Sequence, residues 1–143
     1  MASNTYNSPL GSRYASKEML WLFSDDCRYS TFRKLWVALA ESEHELGLPV
    51  TSAQVEQLKA HVDDIDYEVV AKKEKEIRHD VMAHVYAYGV VCPDAKGIIH
   101  LGATSCYVTD NADMIIYRDA MRLLENKLQA VIANLADFAK QYR

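Results

Sequence analysis

Two clusters of polar residues in this chain are equipped for chemistry. Residues 97 to 113, GIIHLGATSCYVTDNAD, bring Gly97, His100, Gly102, Thr104, Ser105, Asp110 and Asn111 into one turn-rich passage. Glycine lets a backbone approach a ligand closely, and hydroxyls, an imidazole and exposed amide groups are what an anionic ligand needs around it. The second cluster, Arg78-His79-Asp80, lies upstream on what reads as a helix with apolar neighbours. Together they look like parts of a site for a multiply charged small molecule.

Each cluster also has a plainer reading. A lone helical histidine such as His79 is usually a core or surface residue. Thr104 and Ser105 could merely shape a turn before a helix that starts at Thr109 or Asp110. The five histidines, at 44, 61, 79, 84 and 100, form no HExxH motif and no i, i+4 pair. His79 and His84 are five apart and so turn to different helix faces, and no metal site is expected. Neither Ser105 nor Cys106 has the surroundings of a catalytic nucleophile, since GxSxG and papain-type contexts are absent. By composition alone, Arg13-Tyr14 reads as part of a solvated tail.

The remaining residues must position these groups. A chain of 143 residues falls in the range of one domain, and half of it is hydrophobic. The formal charge of −4, with no Lys/Arg run, argues against nucleic-acid binding. Three cysteines without CxxC spacing argue against a disulfide framework or zinc ribbon. The N-terminus has no signal-peptide pattern and no segment has transmembrane length, so a soluble protein of the reducing cytosol is expected.

Residues 1–18, rich in Ser, Asn, Gly and Pro, read as an extended arm. Phe32, Leu35, Trp36, Leu39 and Leu46 keep helical spacing and predict a helix over 30–46, stopped by Gly47 and Pro49. Thr51-x-x-Gln54 has capping-box form and opens a helix over 51–62. Asp66 is placed as the N-cap of a third helix that runs unbroken through His79 to Gly89. Residues 90–107 read as loop. From 110 onward there is no Gly or Pro, so roughly 34 residues could form one rod about 50 Å long.

Along that rod Tyr117, Met121, Leu124, Leu128, Val131, Leu135, Phe138 and Tyr142 alternate by four and three. This is a heptad seam, which wants long partner helices. The chain's own earlier helices are too short to cover it, and Gln141-Tyr142-Arg143 carries no C-cap signal. The expectation is the front piece of a longer chain, an obligate oligomer, or both.

Four separated stretches, in order, resemble a known family: SRYAS at 12–16, LWVALAESEHELGLP at 35–49, RHDVMAH at 78–84 and IIHLGATSCYVTDNAD at 98–113. The chain resembles the N-terminal part of the adenylosuccinate lyases, most closely the animal type, in the fumarase/aspartase superfamily. The resemblance implies an all-α fold: an N-terminal helical domain over 19–107 after the arm of 1–18, then, over 108–143, the first long helix of the superfamily's central bundle. It implies a C–N lyase of purine biosynthesis that eliminates fumarate from adenylosuccinate, giving AMP, and from the succinyl-carboxamide nucleotide. It also implies no cofactor and a homotetramer in which three subunits build each active site.

Carried over by resemblance, Arg13 and Tyr14 match a nucleotide-binding pair. Arg78, His79 and Asp80 match the triplet lining the substrate pocket, with His79 close to the reacting groups as an acid or orienting residue. His100 matches a histidine associated with the substrate phosphate, and Thr104-Ser105 a pair binding the succinyl or fumarate part. The family's general acid and base lie in segments beyond residue 143, so the 143-residue chain alone is expected to be inactive. Two alternatives stand beside this reading. One is another superfamily lyase, such as argininosuccinate lyase or the similar cycloisomerase. The other is a non-catalytic helical module that uses the seam to bind partners.

Overall fold

The computed structural model describes residues 8–142, and among them there is helix and no strand. The all-α expectation holds. After a single π-type turn at Leu10–Tyr14 come α1 (Lys17–Leu22), α2 (Asp25–Glu45), α3 (Ser52–Ala60), α4 (Tyr67–Ile77), α5 (Asp80–Val91) and α6 (Ser105–Gln141). None of these helices is long and apolar enough to cross a membrane.

Residues Asp25–Asp113 form one compact unit. Within it α2 ends at a Schellman motif: Gly47 takes φ +79°, its N–H bonds His44 O at 3.0 Å, and Leu48 N–H bonds Glu43 O at 3.0 Å. The capping box at Thr51 is present. Gln54 N–H donates to the Thr51 hydroxyl at 3.3 Å, and Thr51 N–H donates to Gln54 Oε1 at 2.9 Å. Asp66 caps α4 by accepting from Glu68 and Val69 N–H, both at 3.0 Å.

The core gathers Phe32, Trp36, Val37 and Ala40 of α2 with Val55 and Leu58 of α3, Val81, Val85 and Tyr88 of α5, and Val108 and Ala112 of α6. A buried guanidinium joins them. Arg33 Nη1 donates to His61 O and Asp64 O at 2.5 and 2.8 Å, and the group lies 4.3 Å over the Tyr88 ring. These bonds fasten the α3–α4 connection onto α2. His84, also buried, stacks on Tyr29 with ring centres 3.7 Å apart. Burial, reinforced by the Arg33 charge, holds its pKa down at about 4.

Several boundaries differ from the sequence expectation. The third helix is two helices: α4 stops at Ile77, Arg78 turns left-handed at φ +56°, and His79 is the extended N-cap of α5. His79 is therefore at a helix start and not in mid-helix. The break is hidden in the sequence because Val70 before it and Val81, Val85 and Tyr88 after it are all buried, so the apolar period runs straight across. Residues 8–18 are not simply extended, because the π-type turn and the start of α1 lie there; Ser16 caps α1 by accepting Met19 N–H. The reading of residues 1–7 as arm lies outside the described residues.

Likewise α2 starts at Asp25, not 30, and α5 runs to Val91. The last helix begins at Ser105, not 110. Its apolar face starts with Val108 and Ala112, both fully buried, and Tyr107 OH donates to Leu35 O at 2.9 Å.

The rest of the described chain, through Ser24 and from Met114 onward, groups as a second unit. In it Phe23 and Tyr117 place their rings 6.2 Å apart. Ile116 and Ala120 are buried, whereas Met121, Leu124, Leu128, Val131, Leu135, Phe138 and Tyr142 are each 50–66% exposed. The heptad seam of α6 is thus bare along its length.

Candidate functional site

The reversal at Arg78 and the turns after α5 bring two helix starts together. Residues 92–103 advance by successive i to i−3 bonds: Ala95 to Cys92, Ile98 to Ala95, Leu101 to Ile98 and Ala103 to His100. His100 sits in the left-handed region at φ +66°, and Gly102 at φ +65°. Gly102 adopts this without a Cβ clash, whereas His100 is held there against one. The path then enters α6 through Thr104, whose carbonyl accepts Tyr107 N–H at 2.9 Å.

At the start of α5 the His79 ring faces two ways. Its Nδ1 accepts the Met82 N–H at 3.3 Å, which caps the helix, and its Nε2 lies 3.4 Å from the Ser105 hydroxyl at the start of α6. Asp80 Oδ1 is 3.6 Å from Nδ1, beyond hydrogen-bond distance, and leaves the cap in place. One contact therefore links the N-terminal ends of α5 and α6. Unpaired N–H groups and the positive end of the helix dipole favour an anion at such ends. The first turn of α6 contains no acidic residue to neutralise it, and Arg78 adds a full charge next to His79.

His100 is tied to the core. The Trp36 indole N–H donates to its Nδ1 at 2.9 Å, and the two rings meet edge-on. Burial first, and then the His79 imidazole, push the His100 pKa below its ordinary value.

The structure thus brings His79 and Ser105 into contact, with His100 close enough to His79 to feel its charge. Arg78 and Asp80 flank His79 and are exposed, as is Thr104 beside Ser105. Arg13 and Tyr14 belong to the other unit, where the Arg13 guanidinium lies 5.6 Å over the Tyr14 ring. Sequence reasoning missed Trp36 as a site residue. It stands 64 positions from His100 in a core stripe, and nothing in its spacing separates it from its apolar neighbours.

Among solved structures, the β-carboxy-cis,cis-muconate cycloisomerase of Acinetobacter calcoaceticus sp. ADP1 matches with a TM-score of 0.73. The match covers 85% of this chain and 30% of that one, at 23% identity. It sets the class of fold: the all-helical architecture that the chain shares with part of that cycloisomerase. No protein-family model matches the chain.

Curated sequences narrow this further. Adenylosuccinate lyases from Schizosaccharomyces pombe and Saccharomyces cerevisiae are each 54% identical to it, over 97% and 98% of this chain and 30% of either relative. That of Schistosoma mansoni is 44% identical over 96% of this chain and 29% of the relative. Over nearly its whole length the chain is similar to these adenylosuccinate lyases. It spans about 30% of the length of these relatives.

Proposed function

We propose that this chain supplies one side of the substrate site of an adenylosuccinate lyase. That enzyme would eliminate fumarate from adenylosuccinate, leaving AMP, and from the succinyl-carboxamide nucleotide. The observation that carries the reading is the contact between His79 and Ser105, where two helix N-termini meet beside Arg78. In the elimination a base takes the proton beside one succinyl carboxylate, charge spreads into that carboxylate, and the purine nitrogen leaves as it is protonated. Fixed donors around the developing dianion lower the barrier.

In this reading Thr104 and Ser105 bind the succinyl part, His100 the phosphate, and Arg78, His79 and Asp80 line the pocket. Arg13 and Tyr14 contact the nucleotide. His79 orients the substrate or supports proton transfer. The principal acid and base come from segments beyond residue 143, in a cytosolic homotetramer that needs no cofactor. The bare seam of α6 favours a second reading for the 143-residue chain alone, as a non-catalytic helical module that associates through that face.

One experiment separates the two. Fumarate release by the purified chain should stay at background and recover when the missing region is supplied, because base and acid each contribute about 10² to 10⁴ in rate. AMP should shift the NMR signals of His79, His100, Thr104 and Ser105 with a Kd in the millimolar range, about −4 kcal/mol. Steady turnover abolished by His79→Ala would overturn the expected inactivity. An AMP titration that moves none of the four residues would remove the substrate-site reading and leave the module.

A further inference from the structure

We propose that Trp36 is a positioning residue that locks His100 in its Nε2–H tautomer, so that this imidazole serves as a fixed neutral donor to an anionic oxygen. The inference deepens the reading of the cluster as an anion site and rests on it for its biological use. The lock itself stands on geometry.

Indole nitrogen donates and cannot accept. Its N–H reaches His100 Nδ1 at 2.9 Å, so Nδ1 must offer its lone pair and the ring proton must sit on Nε2. Trp36 is well suited to the task because it cannot move. It is 1% exposed and wedged against Phe32 and Tyr88, with ring centres 6.0 and 6.1 Å away. The left-handed backbone at His100 turns the side chain back onto the core residue, and the bond to Trp36 helps offset that conformation.

Protonating Nδ1 would set donor against donor and break the bond. The titratable group facing His100 is His79, at the start of α5, and its charge would oppose a second one nearby. Burial acts in the same direction. His79 follows a parallel plan, with its Nδ1 engaged by the Met82 N–H and its Nε2 turned to Ser105. Arg78 and the two helix starts supply positive potential to the cluster, and His100 contributes direction without charge.

The test is a ¹⁵N–¹H long-range correlation spectrum of the histidine-labelled 143-residue chain, followed through a pH titration. His100 should show a pyridine-like Nδ1 and a pyrrole-like Nε2, and should keep them well below the ordinary histidine pKa of about 6.5. W36F keeps a buried ring but loses the N–H. In it the tautomers should mix and the His100 pKa should rise toward that ordinary value. Should W36F fail to fold, benzothienylalanine at position 36 replaces the N–H by sulfur at nearly constant shape and gives the same readout.

Inorganic phosphate is the ligand probe, and its binding should weaken about tenfold when the lock is lost, as for one charge-assisted hydrogen bond. A protonated or mixed Nδ1 in the wild-type chain, or a tautomer unmoved by removing the indole N–H, would overturn the proposal. A fixed tautomer in a chain that ignores phosphate and AMP would uphold the lock and sink the anion-site reading instead.

Discussion

The stripe of α2 and the seam of α6 are built from the same kinds of residue at the same helical spacing, yet they end in opposite environments. Phe32, Trp36, Val37 and Ala40 are closed over by α3, α5 and the first turns of α6. Met121, Leu124, Leu128, Leu135 and Phe138 lie half to two-thirds exposed. Periodicity states that a helix has an apolar face; it does not state what covers that face. Large side chains left wet forgo roughly 1.5–3 kcal/mol each, so a bare seam of this length calls for a partner.

The sharpest way to break the comparison is to delete side chains on both sides of it. Leu58→Ala empties a fully buried position and should cost about 2–5 kcal/mol in denaturant unfolding. Replacing Leu124, Leu128 and Leu135 together by serine should leave the Asp25–Asp113 core within about 0.5 kcal/mol of wild type. The same triple change should abolish self-association measured by light scattering. A wild-type chain that is cleanly monomeric at high micromolar concentration would show that the seam needs no partner, and the contrast would collapse.

A somewhat smaller effect should follow from pH. His84 has a folded pKa of about 4, below its ordinary 6.5, because burial opposes its charge. Between those values the unfolded chain binds the extra proton, so the stability present above about pH 6.5 drains away as pH falls toward 4. The loss across this window should be on the order of 3 kcal/mol. His84→Phe should flatten the slope, and an unchanged slope in that variant would assign the acid sensitivity elsewhere. Because His84 belongs to the core, the seam variant should keep the full slope.

The smallest effect sits at a helix start. Asp66→Ala removes the acceptor for Glu68 and Val69 N–H and should cost about 1 kcal/mol in thermal unfolding. A cost near zero would mean that water satisfies those groups equally well.

What was legible in the sequence follows physical lines. Caps and stops made of local chemistry were readable: Thr51 with Gln54, Asp66, and Gly47 with its left-handed turn all do what their residue types predict. The seam was readable because eight apolar residues, Tyr117 to Tyr142, repeat without interruption. The break at Arg78-His79 was not. It is made by a left-handed arginine and a histidine cap, neither of which is a common residue for the job. The start of α6 at Ser105 was hidden because the buried positions that define it, Val108 and Ala112, are small and widely spaced. In the site, residue type and resemblance singled out the polar residues, and the structure brings His79 and Ser105 among them into contact. The hydrogen bond from Trp36 to His100 was not legible, because it joins a core stripe to a loop through tertiary packing alone.

Arg78 and His100 share one further property. Both are non-glycine residues held at positive φ, at +56° and +66°. For stability alone, glycine would serve better at each, since a side chain there costs roughly 1–2 kcal/mol. Natural chains sit only a little above the threshold they need, and strain of this kind persists where it secures something other than folding. A sequence optimised purely for its melting temperature would drift toward glycine at both positions and lose the guanidinium and the imidazole together. The two backbone angles thus mark where an engineer seeking a sturdier scaffold should leave the chain alone.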